Sequence, residues 1–151
     1  MANVAAMCSS FKKEILLGIH ALGTTVVRGA TTVDTFNAAL YLASASLGAA
    51  TTVYTTTGEV SGSGYSAGGI AVTNANPPTN STTNAIWTPS ASLAFGTVTL
   101  STAFDTALIY NATQGNKAVG VFTFGSQTVT AGVFTLTMPT NAAGTALLQI
   151  S

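Results

Sequence analysis

Charged side chains are almost absent from this chain. Four basic and four acidic residues make up 5% of its 151 positions, against about 25% in an ordinary soluble domain. Their charges cancel, so the chain lacks the basic surface that supplies most of the affinity in nucleic-acid binding, and we expect no nucleic-acid partner. Little net charge is left to keep separate copies apart. A neutral surface rich in Thr, Ser, Ala and Gly is typical of a protein packed in an assembly.

The length of the chain and its single Cys8 indicate one domain with an ordinary hydrophobic core and no intrachain disulfide. The most apolar run, residues 15–19, is far shorter than the about 20 residues of a membrane-spanning helix. It also lacks the flanking pattern of a signal peptide. We therefore expect a chain that is made and folded in the cytoplasm of its host cell and has no membrane partner.

The chain changes character near residue 34. Residues 10–22 form the one helical pattern, because apolar residues recur there at helical spacing, and Gly23 is a natural stop for this helix. From Asp34 onward, short β runs alternate with turns rich in Gly, Ser and Pro. The sequence therefore predicts an N-terminal arm with a short helix, residues 1–33, and a β domain, residues 34–151.

The clearest β pattern is a hairpin in which residues 105–110 and 117–124 flank the turn sequence 111–116. A further strand is predicted over residues 34–43. The other predicted strands are short and cover residues 70–74, 84–94, 97–101, 126–130, 132–138 and the apolar end of the chain near 147–150. About eight short strands with Gly-rich turns predict an all-β fold, an antiparallel β-sandwich or barrel.

Residues that carry catalysis or bind metals are scarce. His20, the only histidine, is expected to be a helix residue near a C-terminus, where a partial positive charge is welcome. Cys8 lacks an obvious base, and the four carboxylates are scattered, so we expect them to be solvated residues of loops or turns. Metal sites need clusters that this sequence lacks. We expect no enzymatic activity, no cofactor, no metal and no small-molecule substrate.

Protein contacts are the remaining kind of function, and aromatic residues are enriched at protein interfaces. Tyr54, Tyr65 and Trp87 fall in or beside the irregular middle of the chain, close to Glu59, whereas Phe11 belongs to the predicted arm. A lone Trp in a sandwich is more often a core residue, so Trp87 has two interpretations. We predict an interface that includes these five residues.

Several segments of the chain resemble small virion proteins of tailed bacteriophages. The segments that carry the resemblance are Phe11–His20, Asp34–Tyr41, Thr55–Gly69, Ala107–Asn111 and Lys117–Val119. The most specific is the stretch Glu-Val-Ser-Gly-x-Gly-Tyr-x-Ala-Gly-Gly, and the hairpin is the next. The resemblance covers most of residues 11–150 and leaves out residues 74–84.

The resemblance implies a non-enzymatic structural protein of the virion, made in the host bacterial cytoplasm. A capsid decoration (cement) protein fits best, with the major capsid protein and sister copies, in a homotrimer, as partners. Loop 55–69 and the arm 1–33 would contact them, and many modest contacts over a closed shell would combine through avidity. Two alternatives remain open. One is a head–tail connector or tail protein; the other is a carbohydrate-binding fibre or adhesin domain that uses Trp87 and the tyrosines as stacking platforms.

Overall fold

A computed structural model describes residues 3–16, 18–24, 33–81 and 84–150 of the chain. As predicted, the fold is all-β and its sheets are antiparallel. Eight strands and one short helix are assigned among these residues. In chain order they are β1 (Ala6–Met7), α1 (Ser9–Leu16), β2 (Phe36–Leu42), β3 (Ile70–Ala71), β4 (Thr79–Ser81), β5 (Asn84–Trp87), β6 (Leu93–Asn111), β7 (Lys117–Leu136) and β8 (Leu148–Ile150).

The predicted hairpin is confirmed, and it forms the largest part of the fold. Its turn contains Gly115 and Asn116, which both have the left-handed φ that such a turn requires. The side-chain oxygen of Asn111 accepts a hydrogen bond of 3.0 Å from the backbone N–H of Gln114, three residues on, which ties the start of the loop to its middle. The turn residues of the sequence therefore act as expected from their local chemistry.

The strands of this hairpin are much longer than predicted. β6 has 19 residues and β7 has 20, so the predicted short strands at 97–101 and 126–130 are parts of two continuous strands. Gly96 and Ala131 have positive φ values at points where the pairing register shifts. These small residues form β-bulges, which bend a strand without ending it. The sequence pattern was wrong in taking them as breaks between strands.

The strands form a five-stranded sheet, in the order β1-β7-β6-β2-β3, and a three-stranded sheet, in the order β4-β5-β8. The arrangement is sandwich-like. Strand β2 lies inside the large sheet, paired with β6 along its length, and residues 38–41 are 0% exposed. A short apolar run bounded by turns is the sequence pattern of such a strand. Trp87 of β5 packs near Phe36 of β2, with ring centroids 6.0 Å apart, and so links the two sheets.

The N-terminal helix ends earlier than predicted, because Gly18 rather than Gly23 terminates it. Gly18 has a φ of +67°, and its N–H donates to the carbonyl of Ile15, a left-handed helix end that glycine favours. The described part of the predicted arm packs closely on the β domain. Strand β1 pairs with β7, and Cys8 and Phe11 are 0% exposed. The domain boundary at residues 33 and 34 stays a prediction.

Candidate functional site

The five predicted interface residues lie in two separate places. Tyr54, Glu59 and Tyr65 form one hydrogen-bonded cluster on the loops that cover β2. Phe11 and Trp87 line an apolar cavity between α1 and the small sheet. The sequence-based prediction put these five residues in one interface, whereas the fold places them in two separate clusters.

The carboxylate of Glu59 is the centre of the first cluster. Its Oε2 accepts a hydrogen bond of 2.6 Å from the hydroxyl of Tyr54, and its Oε1 accepts bonds of 2.8 Å from the hydroxyl of Tyr65 and the N–H of Gly68. The Tyr65 hydroxyl also accepts a bond of 3.0 Å from the N–H of Leu40 in β2. One carboxylate thus ties three points of the covering loops to the large sheet.

Burial is the main reason why the pKa values of Tyr54 and Tyr65 lie above the usual value, and their hydrogen bonds to the carboxylate raise them further. Both hydroxyls therefore remain protonated and act as donors to Glu59. The ring of Tyr54 stacks on Tyr110 of β6 with centroids 4.7 Å apart, and the Tyr110 hydroxyl donates to the carbonyl of Gly68 at 2.8 Å. The geometry is that of a rigid loop anchor.

Phe11 and Trp87 belong to the core of the folded chain. Phe11 is 0% exposed and Trp87 is 1% exposed, and the indole N–H of Trp87 donates to the carbonyl of Asn76 at 2.9 Å. The cavity between them has a volume of about 220 Å³, and its walls are almost entirely apolar. A lone Trp in a β-sandwich is most often a core residue, and Trp87 follows this tendency. The interface role of all five residues stays a prediction.

A buried polar network, which the sequence did not predict, lies at the edge of this cavity. The side chain of His20 is 0% exposed, and its Nε2 lies 2.9 Å from Oε2 of Glu14. Oε1 of Glu14 accepts a bond of 3.0 Å from Nζ of Lys117. On its other side, His20 Nδ1 lies 2.9 Å from Nδ2 of Asn111. Both ring nitrogens of the histidine are therefore engaged inside the chain.

The neighbours of His20 fix its tautomer. An amide nitrogen can only donate, so Asn111 Nδ2 donates to Nδ1 of His20, and the proton of the neutral ring is on Nε2, where it is donated to Glu14. The Asn111 oxygen accepts from the N–H of Gln114, which sets this orientation of the amide. A histidine held in this way supports the fold and has no free nitrogen to act as a base on another molecule.

Asp34 completes the network and is only 3% exposed. Its Oδ2 accepts bonds from Nδ2 of Asn111, at 2.9 Å, and from the N–H of Ala21, at 3.0 Å, and its Oδ1 accepts from Nε2 of Gln114 at 3.0 Å. Our expectation that the carboxylates are solvated residues is therefore wrong for Asp34 and for Glu14. The sequence places Asn111 at one end of the hairpin but does not give the strand pairing that brings Asp34 and His20 to it.

The pKa of Glu14 reflects two opposing effects. Burial, the largest single effect, acts to raise it, but hydrogen bonds and charges from His20 and Lys117 together outweigh burial and lower it below the usual value. Glu14 is therefore ionised at neutral pH, as a structural partner of Lys117 and of the His20 ring. No group of three or more His, Cys, Asp or Glu side chains suited to a metal ion occurs among the described residues.

Cys8 is expected to be chemically inert in the folded chain. Its side chain is 0% exposed, and burial raises the pKa of its thiol to about 11. We expect a thiol reagent such as dithionitrobenzoate to label Cys8 only as fast as the protein unfolds, at least about 100-fold more slowly than in denaturant. Rapid labelling of the native protein, with no dependence on denaturant, would contradict this placement.

Comparisons with protein-family models, with curated proteins and with solved structures gave no match. Within the described ranges, no helix has the length and apolar character needed to cross a membrane.

Proposed function

We propose that this chain is a non-enzymatic structural protein of a bacteriophage virion, specifically a decoration protein that binds and stabilises the major capsid lattice. The main observation behind the proposal is that the acidic side chains and the histidine bond within the chain itself. All four carboxylates and the only histidine bond to other groups of the same chain. The bonded partners are His20 and Lys117 for Glu14, Asn111 and Gln114 for Asp34, Tyr54 and Tyr65 for Glu59, and Asn3 and Thr106 for Asp105.

These groups hold loops onto the sheets, so the four carboxylates are engaged within the chain and do not stand free on its described surface. Loop 55–69 illustrates the effect. Residues 55–57 and 61–64 are exposed, whereas Glu59 between them anchors the loop from inside. A loop that is already fixed loses little conformational entropy when it binds, and Thr and Ser side chains are cheaper to desolvate than charged ones. Such a loop is suited to many repeated, modest contacts with a capsid lattice and with sister copies.

The carbohydrate-binding alternative finds little support in this arrangement. Sugar stacking needs an aromatic ring with an open face, and the Trp and the four Tyr that this alternative would use are buried or half-buried. Trp87 is buried, and the hydroxyls of Tyr54 and Tyr65 are engaged with Glu59. The alternative of a head–tail connector or tail protein remains and differs chiefly in copy number.

The decisive experiment counts copies of the chain in purified virions, by quantitative mass spectrometry against the major capsid protein. A decoration protein is expected in a number comparable with that of the capsid protein. A copy number many-fold smaller would indicate a protein of the neck or tail. Absence of the chain from the particle would refute the virion proposal. Adding purified chain to capsids that lack it, and measuring saturable binding and greater resistance to heat, would test the stabilising role directly.

A further inference from the structure

The outer edge of β7 is open over most of its length. On one side β7 pairs with β6 from end to end, but on the other side β1 is the one strand among the described residues that pairs with it, at Gly120 and Val121. From Phe122 to Leu136, no backbone hydrogen bond joins the outer edge to any other described segment. Such an edge presents a row of unpaired N–H and C=O groups, which is a template for another strand.

This edge has few of the features that normally prevent strand addition. Soluble proteins protect long edges with charged residues and proline. Here β7 contains no proline, and the chain has no charged residue after Lys117. The two bulges between Phe122 and Leu136, at residues 124–126 and 130–131, are the one protective feature of this open segment among the described residues.

An apolar groove of about 250 Å³ adjoins the open edge. Phe122 and Phe124 of β7 form one wall, and Leu136, Met138 and Leu147 contribute to the others. These side chains are only partly buried within the chain. An added strand would place alternate side chains over this face, which is how strand addition combines backbone hydrogen bonds with side-chain contacts. Edge and groove thus form one continuous, uncharged surface.

The sequence of the edge is nearly palindromic about Val129. Phe-Thr-Phe at 122–124 and Phe-Thr-Leu at 134–136 flank the central Thr-Val-Thr at 128–130. In an antiparallel pair centred on Val129, the two flanking segments lie opposite each other, and so do Thr128 of one copy and Thr130 of the other. Aromatic pairs and Thr pairs across strands are favourable.

We propose that residues 122–136 of β7 pair with the same edge of a second copy of this chain, forming a dimer with two-fold symmetry. In such an isologous interface each contact occurs twice, which is what a palindromic strand provides. The proposal does not depend on the virion role. This dimer differs from the homotrimer that the resemblance implies. In a two-fold pair the open edge of each copy is covered by the other copy, so neither edge is left for a third copy.

The test is the mass of the protein in solution across concentration, measured by sedimentation equilibrium. The wild type is expected to change from monomer to dimer between about 1 and 100 µM. The double variant Thr128→Lys, Thr130→Lys places four like charges around the two-fold axis and is expected to weaken dimerisation about 100-fold or more. The control Ala49→Lys, Ala50→Lys adds the same charges at an exposed turn and should dimerise like the wild type.

Hydrogen exchange of the wild type provides a check that needs no variant. Amides of residues 122–136 are expected to exchange more slowly at about 100 µM than at about 1 µM, with no comparable change in β2. A wild type that stays monomeric at the higher concentration would overturn the proposal. So would a trimer, or a dimer that both lysine pairs leave unchanged. Failure of this test leaves the copy number in the virion untouched, so the two proposals can fail separately.

Discussion

Replacing Gly69 with alanine is expected to destabilise the protein by about 3–5 kcal/mol, among the largest effects of any single substitution. Gly69 has a φ of +72°, and a Cβ built on it would lie 1.8 Å from the carbonyl oxygen of Ala38, in the buried interior strand β2. Neither backbone can move without breaking the pairing of β2 with β3, which joins Ala38 to Ile70. The midpoint of unfolding in urea, followed by the fluorescence of buried Trp87, measures the loss.

Gly115→Ala is the matched control for this prediction. Gly115 has nearly the same backbone conformation, with a φ of +68°, but nothing lies within 4 Å of its added Cβ. This substitution therefore carries only the conformational cost of a left-handed alanine, about 1–2 kcal/mol. The difference between the two variants isolates the contact between loop and strand. Equal losses for both would show that Gly69 does not approach Ala38 as closely as described.

Replacing Glu14 with glutamine is expected to cost about 2–3 kcal/mol of stability at pH 7. The glutamine amide has one oxygen, so it can accept from His20 or from Lys117 but not from both, and its NH₂ group then faces a donor. Glu14 is only 8% exposed, so water cannot readily replace the lost acceptor. Equilibrium unfolding in denaturant gives the difference from the wild type.

The loss should depend on pH in a defined direction. The pKa of Glu14 is lowered in the folded chain, so its carboxylate stabilises the fold above the ordinary value of 4.5, and this contribution disappears as the pH falls through the lower, folded value. The stabilities of the wild type and of Glu14→Gln should therefore approach each other only below pH 4.5. A difference that stays constant from pH 7 to pH 3 would contradict this assignment.

Lys117→Met is the comparison variant for the network. The Lys117 side chain is 39% exposed, so water screens its ion pair with Glu14, and its removal should cost at most about 1 kcal/mol. Combining it with Glu14→Gln should give less than the sum of the two losses, because both variants remove the same contact.

The elements that the sequence predicted well depend on neighbouring residues. The turn at 111–116 follows from Asn, Gly and Asn at positions that need a side-chain bond to the loop and left-handed φ values. Strand β2 follows from a short apolar run. The bulges were misjudged for a related reason. A small residue such as Gly96 either ends a strand or bends it, and the choice depends on whether a partner strand continues alongside.

The polar network depended on contacts that no local pattern contains. The hydrogen bonds that join Asp34, His20 and Glu14 to their hairpin partners connect residues 77, 91 and 103 positions apart. Their proximity follows from the register of β2 against β6 and from the way the N-terminal segment packs on β7. A one-residue change of register would turn Asn111 to the other face of the sheet.

The sequence by itself determined the class of the fold, its central hairpin and the scarcity of charge, because composition and turn chemistry are properties of the chain. Tertiary structure alone decided which strands are neighbours, and hence which edge is open and which charges are buried together. Whether the outer side of β7 has a partner depends on the order of the strands in the sheet. That order is set by how the whole chain buries its apolar faces, a free energy summed over residues far apart in sequence.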